Sequence, residues 1–284
     1  MNSTKPELLT PAQGFPEGPC FDKAGNLYWV NCRSGQISRL TPEGELSCFL
    51  NTGATPQAGN FASSGDMYVC EAGLHQMIVV HPDASWDVLA SECDGVPFRS
   101  PNDLVVDEHD NVYFTDPGGS KPDNPIGTVH FVTPSGDVAR IDGGMEFPNG
   151  IAMAADGKTL TVVETYPRCI WAYDVIEPGQ VENKRMLWRH ADEKCLPDGM
   201  AYDCEGNLWV AAFGVGTIDV VSPQGETLDR FEAGGLRPTN CAFGGPDFTT
   251  LYITETETNS LYTLATGLKG QKLFPDRVLP SAAV

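Results

Sequence analysis

The chain has 284 residues, with 18 Lys and Arg against 38 Asp and Glu and a formal net charge of −20. A pI near 4.4 argues against a nucleic-acid partner, whose phosphates need a basic face, and equally against anionic membrane surfaces. No apolar run approaches the ~20 residues of a membrane-spanning helix, so the expected partner is a small molecule, bound by a monomer or small homo-oligomer.

The N-terminus, Met1 to Thr10, has no apolar stretch behind Lys5 and does not read as a secretory signal. The nine cysteines are odd in number, scattered, and without a CxxC. Reduced thiols in a cytoplasm are the simpler expectation. Glu7 to Thr10 is expected to be a strand that closes the fold.

From there the chain repeats itself. Asp22-Lys-Ala-Gly-Asn-Leu-Tyr-Trp-Val30 returns around Tyr68, Tyr113, Thr161, Trp209 and Tyr252. Counted from Tyr28, the steps are 40, 45, 48, 48 and 43 residues. Each copy is an Asp/Gly turn followed by alternating β-branched and aromatic residues, the sign of a hairpin. A second repeat precedes each turn: Glu17-Gly-Pro-Cys-Phe-Asp22, Gln57 to Ala62, Asn102 to Asp107, Asn149 to Ala154, Asp198 to Asp203 and Thr239 to Gly244. Units of roughly 40–50 residues with several strands each predict an all-β, six-bladed β-propeller with four antiparallel strands per blade around a central channel. No composition shift marks a second domain, so residues 1–284 are expected to form one. Val181 to Ala191 fits a strand of the fourth blade better than a helix.

The second repeat predicts the innermost strands, and their first residues form a polar ring: Glu17, Gln57, Asn102, Asn149, Asp198 and Thr239. Two carboxylates and two amides are hard oxygen donors. They suit Ca²⁺, Mg²⁺ or Mn²⁺ better than a structural zinc. Two readings stay open here: a cation site, or polar residues lining a wet channel and bonding backbone groups.

The motifs Phe15-Pro-Glu-Gly-Pro19, Ser100-Pro-Asn-Asp-Leu104, Tyr113-Phe-Thr-Asp-Pro117, Phe147-Pro-Asn-Gly-Ile151 and Leu196-Pro-Asp-Gly-Met200 resemble the senescence-marker-protein (regucalcin), gluconolactonase and luciferin-regenerating-enzyme family, over nearly the whole chain. The resemblance implies one divalent cation in the channel, held by Glu17, Asn149 and Asp198, with Asn102 at the substrate. Its identity stays open among Ca²⁺, Zn²⁺, Mn²⁺, Mg²⁺ and Fe²⁺. At Asp116 two readings stay open, an acidic loop turn and the substrate-side acid that the resemblance implies. Arg99 stands one residue further from Asn102 than in the regucalcin-like branch, which favours the bacterial-type sugar lactonases.

The expected activity is therefore metal-dependent hydrolysis of a sugar-acid lactone. The cation would stabilise the oxyanion, and Asp198 would take a proton from the attacking water. The alternatives are phosphotriester or general ester hydrolysis at the same cation, favoured by an apolar mouth, and a non-catalytic calcium-binding propeller. His75, His81, His109, His130 and His190 fall outside the ring and read as surface or loop residues. Tyr166 and Phe213 lie just past equivalent strand ends, where they either wall the pocket or pack between blades. The cysteines, Cys20 and Cys241 included, read as small core residues.

Overall fold

The structure is a computed structural model describing residues 5–12 and 14–271. It is the six-bladed β-propeller that the repeat predicts. Six four-stranded antiparallel sheets follow one another along the chain, and no helix occurs among the described residues. The innermost strands are Pro16–Phe21, Pro56–Phe61, Leu104–Val106, Pro148–Met153, Leu196–Tyr202 and Pro238–Gly244. The expected closing strand is present, as Glu7–Pro11. It pairs antiparallel with Ser260–Ala265 and becomes the outermost strand of blade 6, which ties the first and last described strands into one sheet. The segment around Val181 is the strand Gln180–Arg189 of blade 4.

The turn repeat has a physical basis. Asp22, Asp107 and Asp203 each accept the backbone N–H groups two and four residues on, and also the amide of the Asn four residues on. Each side chain thereby closes its own hairpin. The Trp209 indole donates to Asp203 as well, at 3.0 Å. These turns all lie at the channel's far end, away from the polar ring. Every hairpin turn there carries a carboxylate, among them Asp22, Asp66, Asp107, Asp156, Asp203 and Asp247.

The core is a circle of apolar clusters between neighbouring blades rather than one central mass. Tyr28, Ile37, Phe61 and Met67 pack between blades 1 and 2, and Trp209, Phe243 and Leu251 between blades 5 and 6. The centre is left for a channel. Its far mouth is crossed by the segment ending at Gln271, whose amide donates to Met153 O at 2.9 Å and whose backbone N–H donates to Tyr202 O. The ring end is the mouth opposite that segment.

Two expectations on histidines are corrected. His130 and His190 are buried, at 4% and 3% exposure. His130 lies in the strand Gly127–Val132, stacked on Phe114. His190 follows the last strand of blade 4 and meets Asp219 of blade 5 at 3.2 Å. Seven of the nine free thiols are buried as expected, while Cys48 and Cys204 are exposed.

Candidate metal centre

Each ring residue lies near the start of an innermost strand, or in blade 3 two residues ahead of it. In blades 1, 4 and 5 the pairing to the second strand slips by one residue at that point, between Glu17 and Cys20, Pro148 and Ile151, and Pro197 and Met200. Such a bulge re-aims side chains out of the regular alternation. The glycine after Glu17, Asn149 and Asp198 lets neighbouring blades close in. A Cβ on Gly150 would stand 2.3 Å from Asp198 O, and one on Gly199 would stand 2.0 Å from the Asn240 side chain. Threonine hydroxyls fix the neighbouring carbonyls: Thr239 donates to Pro16 O, Thr115 to Asn149 O and Thr165 to Pro197 O.

The structure brings Glu17, Asn149 and Asp198 together. Asn149 hydrogen-bonds the Asp198 side chain, and Asp198 feels the charge of Glu17. Glu17 and Asn149 are buried, while Asp198 is the more open carboxylate. Two residues join them that the sequence reading missed. Asp103 accepts from the Asn240 amide and from the Ile151 N–H, both at 3.4 Å. Asn240 also bonds Glu17. Both stand one position after a ring residue.

Glu17, Asp103 and Asp198 therefore share one space, and no Lys or Arg among the described residues is ion-paired to them. Burial holds Glu17 well above the usual carboxylate range, and the Asp103 charge adds to this. Asp198 is raised by the same desolvation and by Glu17 and Asp103. Burial lifts Asp103 to about 6. Among the described residues no three His, Cys, Asp or Glu side chains form a ready-made cage. The donor set is instead two carboxylates and one amide with a third carboxylate beneath. Uncompensated anionic oxygens in low dielectric fit a hard divalent cation.

Asn102 stands at the same mouth, half-buried, its backbone N–H donating to Thr115 O. Its side-chain amide makes no hydrogen bond within the described residues. Asp116 is buried at the end of the second strand. Its two oxygens accept the backbone N–H groups of Arg99 and Ser100 at 2.9 and 2.6 Å, so it anchors the loop that carries Asn102. Glu71, Glu164 and Glu255 do the same at equivalent positions, accepting from Thr55, Glu146 and Arg237.

The mouth itself is lined by loops of mixed character. Tyr166 is 37% exposed and meets Phe147 edge-on with centroids 5.9 Å apart. The Arg33 guanidinium stands 5.2 Å from the Phe15 ring. Leu74 and Leu236 are exposed nearby in the loop sequence, as are Arg99 and Arg237. Phe213 lies half-buried at the end of its strand.

A propeller with a hard-donor centre at one mouth is the class of protein that fold and site define. Residues 15–257 match the family described as the SMP-30/Gluconolactonase/LRE-like region, and the chain belongs to that family. It is 28% identical to diisopropyl-fluorophosphatase of Loligo vulgaris, covering 91% of each chain. It is also 28% identical to a gluconolactonase of Zymomonas mobilis, over 85% of this chain and 76% of that one. The structure superimposes on a gluconolactonase from Xanthomonas campestris with a TM-score of 0.81 at 25% identity, covering 92% of this chain and 88% of the other.

Proposed function

We propose that the chain is a divalent-cation-dependent hydrolase that opens lactones of sugar acids. The observation that carries this reading is the uncompensated carboxylate cluster of Glu17, Asp103 and Asp198 beside Asn149, set at an open mouth. The gluconolactonase among its relatives supports the substrate class.

Glu17, Asn149 and Asp198 would hold the cation, which when bound would polarise the lactone carbonyl. The free amide of Asn102 donates to the substrate's carbonyl or ring oxygen. Asp198, the more open carboxylate, takes the proton from the attacking water as its oxygen bonds to the carbonyl carbon. The ring C–O bond then breaks, and Asp198 returns the proton to the departing oxygen. Asn240, itself bonded to Asp103, holds Glu17, and Asp116 fixes the loop that presents Asn102.

The test is proton release from D-glucono-δ-lactone, with and without chelator. Activity should vanish on metal removal and return with Ca²⁺, Mn²⁺ or Zn²⁺, and Glu17→Gln should raise the concentration of ion needed. Full activity after exhaustive metal removal would refute the cation's role. A second reading, ester or phosphotriester hydrolysis at the same centre, is supported by the aromatic mouth and by the diisopropyl-fluorophosphatase relative. Faster turnover of phenyl acetate or diisopropyl fluorophosphate than of the sugar lactone would select it.

A further inference from the structure

Blade 3 carries a polar cavity whose lining includes none of Glu17, Asn149 and Asp198. The two outer strands of this blade are Gly127–Val132 and Val138–Met145. His130 of the first pairs with Arg140 of the second, and Thr128 pairs with Gly143. Directly opposed residues share one face of a sheet, and so do residues two apart on one strand. Thr128, His130 and Arg140 therefore stand together, and Gly143 leaves the place opposite Thr128 without a side chain. A Cβ added to Gly144 would meet nothing within 4 Å. A short hairpin, Glu92–Cys93 paired with Val96–Pro97, lies outside the six four-stranded sheets. Together with Phe98 and Arg99 it lines the same cavity, of about 270 Å³. That is room for a small oxyanion and several waters.

Three nitrogen-bearing side chains converge there. The His130 ring is buried and packs against Phe98 and Phe114. Its Nε2 meets the Thr128 hydroxyl at 2.8 Å, while its Nδ1 has no partner among the described residues. An unmatched ring nitrogen so deeply buried is costly. With Thr128 donating to Nε2, the ring proton sits on Nδ1, and that N–H lacks an acceptor. Arg140 is exposed, reaches the Cys93 thiol, and has no ion pair among the described residues. Arg99 has none either, and one of its nitrogens donates to Ile126 O at 3.3 Å. The carboxylate in the lining is already engaged, since both Asp116 oxygens accept backbone N–H groups. Asp94, beside the hairpin turn, is exposed.

We propose that this cavity is a second ligand site, taking a small oxyanion, a carboxylate or phosphate group, between the Arg99 and Arg140 guanidiniums and the His130 Nδ1–H. Charge-assisted hydrogen bonds are the strong ones, and a guanidinium fork matches either group. The site does not depend on hydrolysis at the Glu17 centre.

The probes are inorganic phosphate and D-gluconate, each titrated calorimetrically into the full chain. At least one should bind, and which one does separates a phosphate ligand from a sugar-acid ligand. Arg140→Gln changes an exposed side chain and should weaken binding about 10-fold or more, as expected for a lost bond to a charged group. Arg189→Gln, at an exposed arginine of blade 4, should leave it unchanged. Binding here should persist in chelator, whereas an anion captured by a cation at the Glu17 centre would be released. In protein carrying isotope-labelled histidine, the His130 ring resonances should move during the titration. Burial, then the Arg140 and Arg99 charges, hold His130 down at about 4, with Asp94 opposing them. Its pKa should therefore rise as the oxyanion offsets both guanidiniums. Binding lost in chelator, equal weakening in the two arginine variants, or His130 resonances that stay still while the anion binds would each overturn the proposal. So would no binding of either anion at millimolar concentration.

Discussion

At Asp198 two tasks meet in one side chain, and substitution separates them. Asp198→Asn keeps an oxygen donor of nearly the same shape, so cation binding should fall only in part. Turnover should fall further, by about 10²–10⁴-fold, the usual contribution of a general base. Metal content measured beside lactone turnover decides the point, and near-normal turnover at saturating metal would remove Asp198 from the base role. Asp103→Asn should act in the opposite sense on the metal-free protein. Removing one of three crowded carboxylates eases their repulsion, so the apo protein should melt higher while its affinity for the cation drops. Glu17, Asn149 and Asp198 were legible as members of the repeated polar ring, and the family resemblance singled them out as ligands. Asp103 and Asn240 were not. Regular strand alternation assigns consecutive residues to opposite faces; Asn240 serves the centre through a pairing shift after Pro238, and Asp103 because it lies ahead of the paired strand Leu104–Val106, neither of which is visible in a sequence.

The hairpin turns were the easiest elements to read, because each carries its own closure chemistry. Asp203 is buried and accepts four donors, from Glu205, Asn207 twice and Trp209. Asp203→Ala should therefore cost about 3 kcal/mol, since it strands buried donors. The same change at the half-exposed Asp22 leaves donors that water can reach, and about 1 kcal/mol is expected there. Chemical denaturation of the two variants side by side measures the difference, and equal losses would contradict the account. The strand-end acids were harder. Asp116, which the sequence left open between a loop-turn acid and a substrate-side acid, is bound to the Arg99 and Ser100 backbone. A carboxylate at a strand end looks alike whether it faces a ligand or a neighbouring loop. The repeated role of Glu71, Glu164 and Glu255 emerges only when the loops are in place. His130 and His190 were misplaced for a related reason: polar side chains buried between strands and blades leave no periodic mark.

For the whole molecule, the acidic centre couples folding, pH and cation. Burial raises Asp103 to about 6, and Glu17 and Asp198 are also held above their usual range. The metal-free native state therefore keeps protons that the unfolded chain has already released. Where the native state binds more protons, stability falls as pH rises. The apo protein should thus lose stability from about pH 4 to about pH 6 through Asp103, and further above that through Glu17 and Asp198. A bound cation replaces those protons, so its stabilising effect should grow with pH. It should reach about 2.7 kcal/mol at a hundredfold excess over Kd. Melting curves across pH, with chelator and with Ca²⁺, test this. A stabilisation by the ion that shrinks from pH 5 to pH 8 would contradict it.

The carboxylates that close the hairpins at the far end, Asp22, Asp66, Asp107, Asp156, Asp203 and Asp247 among them, have an effect beyond their own turns. They gather negative charge on one disc of the molecule, while in loops of the other Arg33, Arg99, Arg168 and Arg237 offset the charge of Glu146, Asp192, Glu193 and Glu257. The protein is therefore electrically two-sided, and its charge acts as a handle as well as an aid to solubility. On an aminated bead at low ionic strength it should land turn-side down, with its entrance facing the liquid, and keep most of its turnover. On a sulfonated bead, what little adsorbs should do so entrance-first and be blocked. Raising the salt should erase the contrast, because screening shortens the reach of both fields.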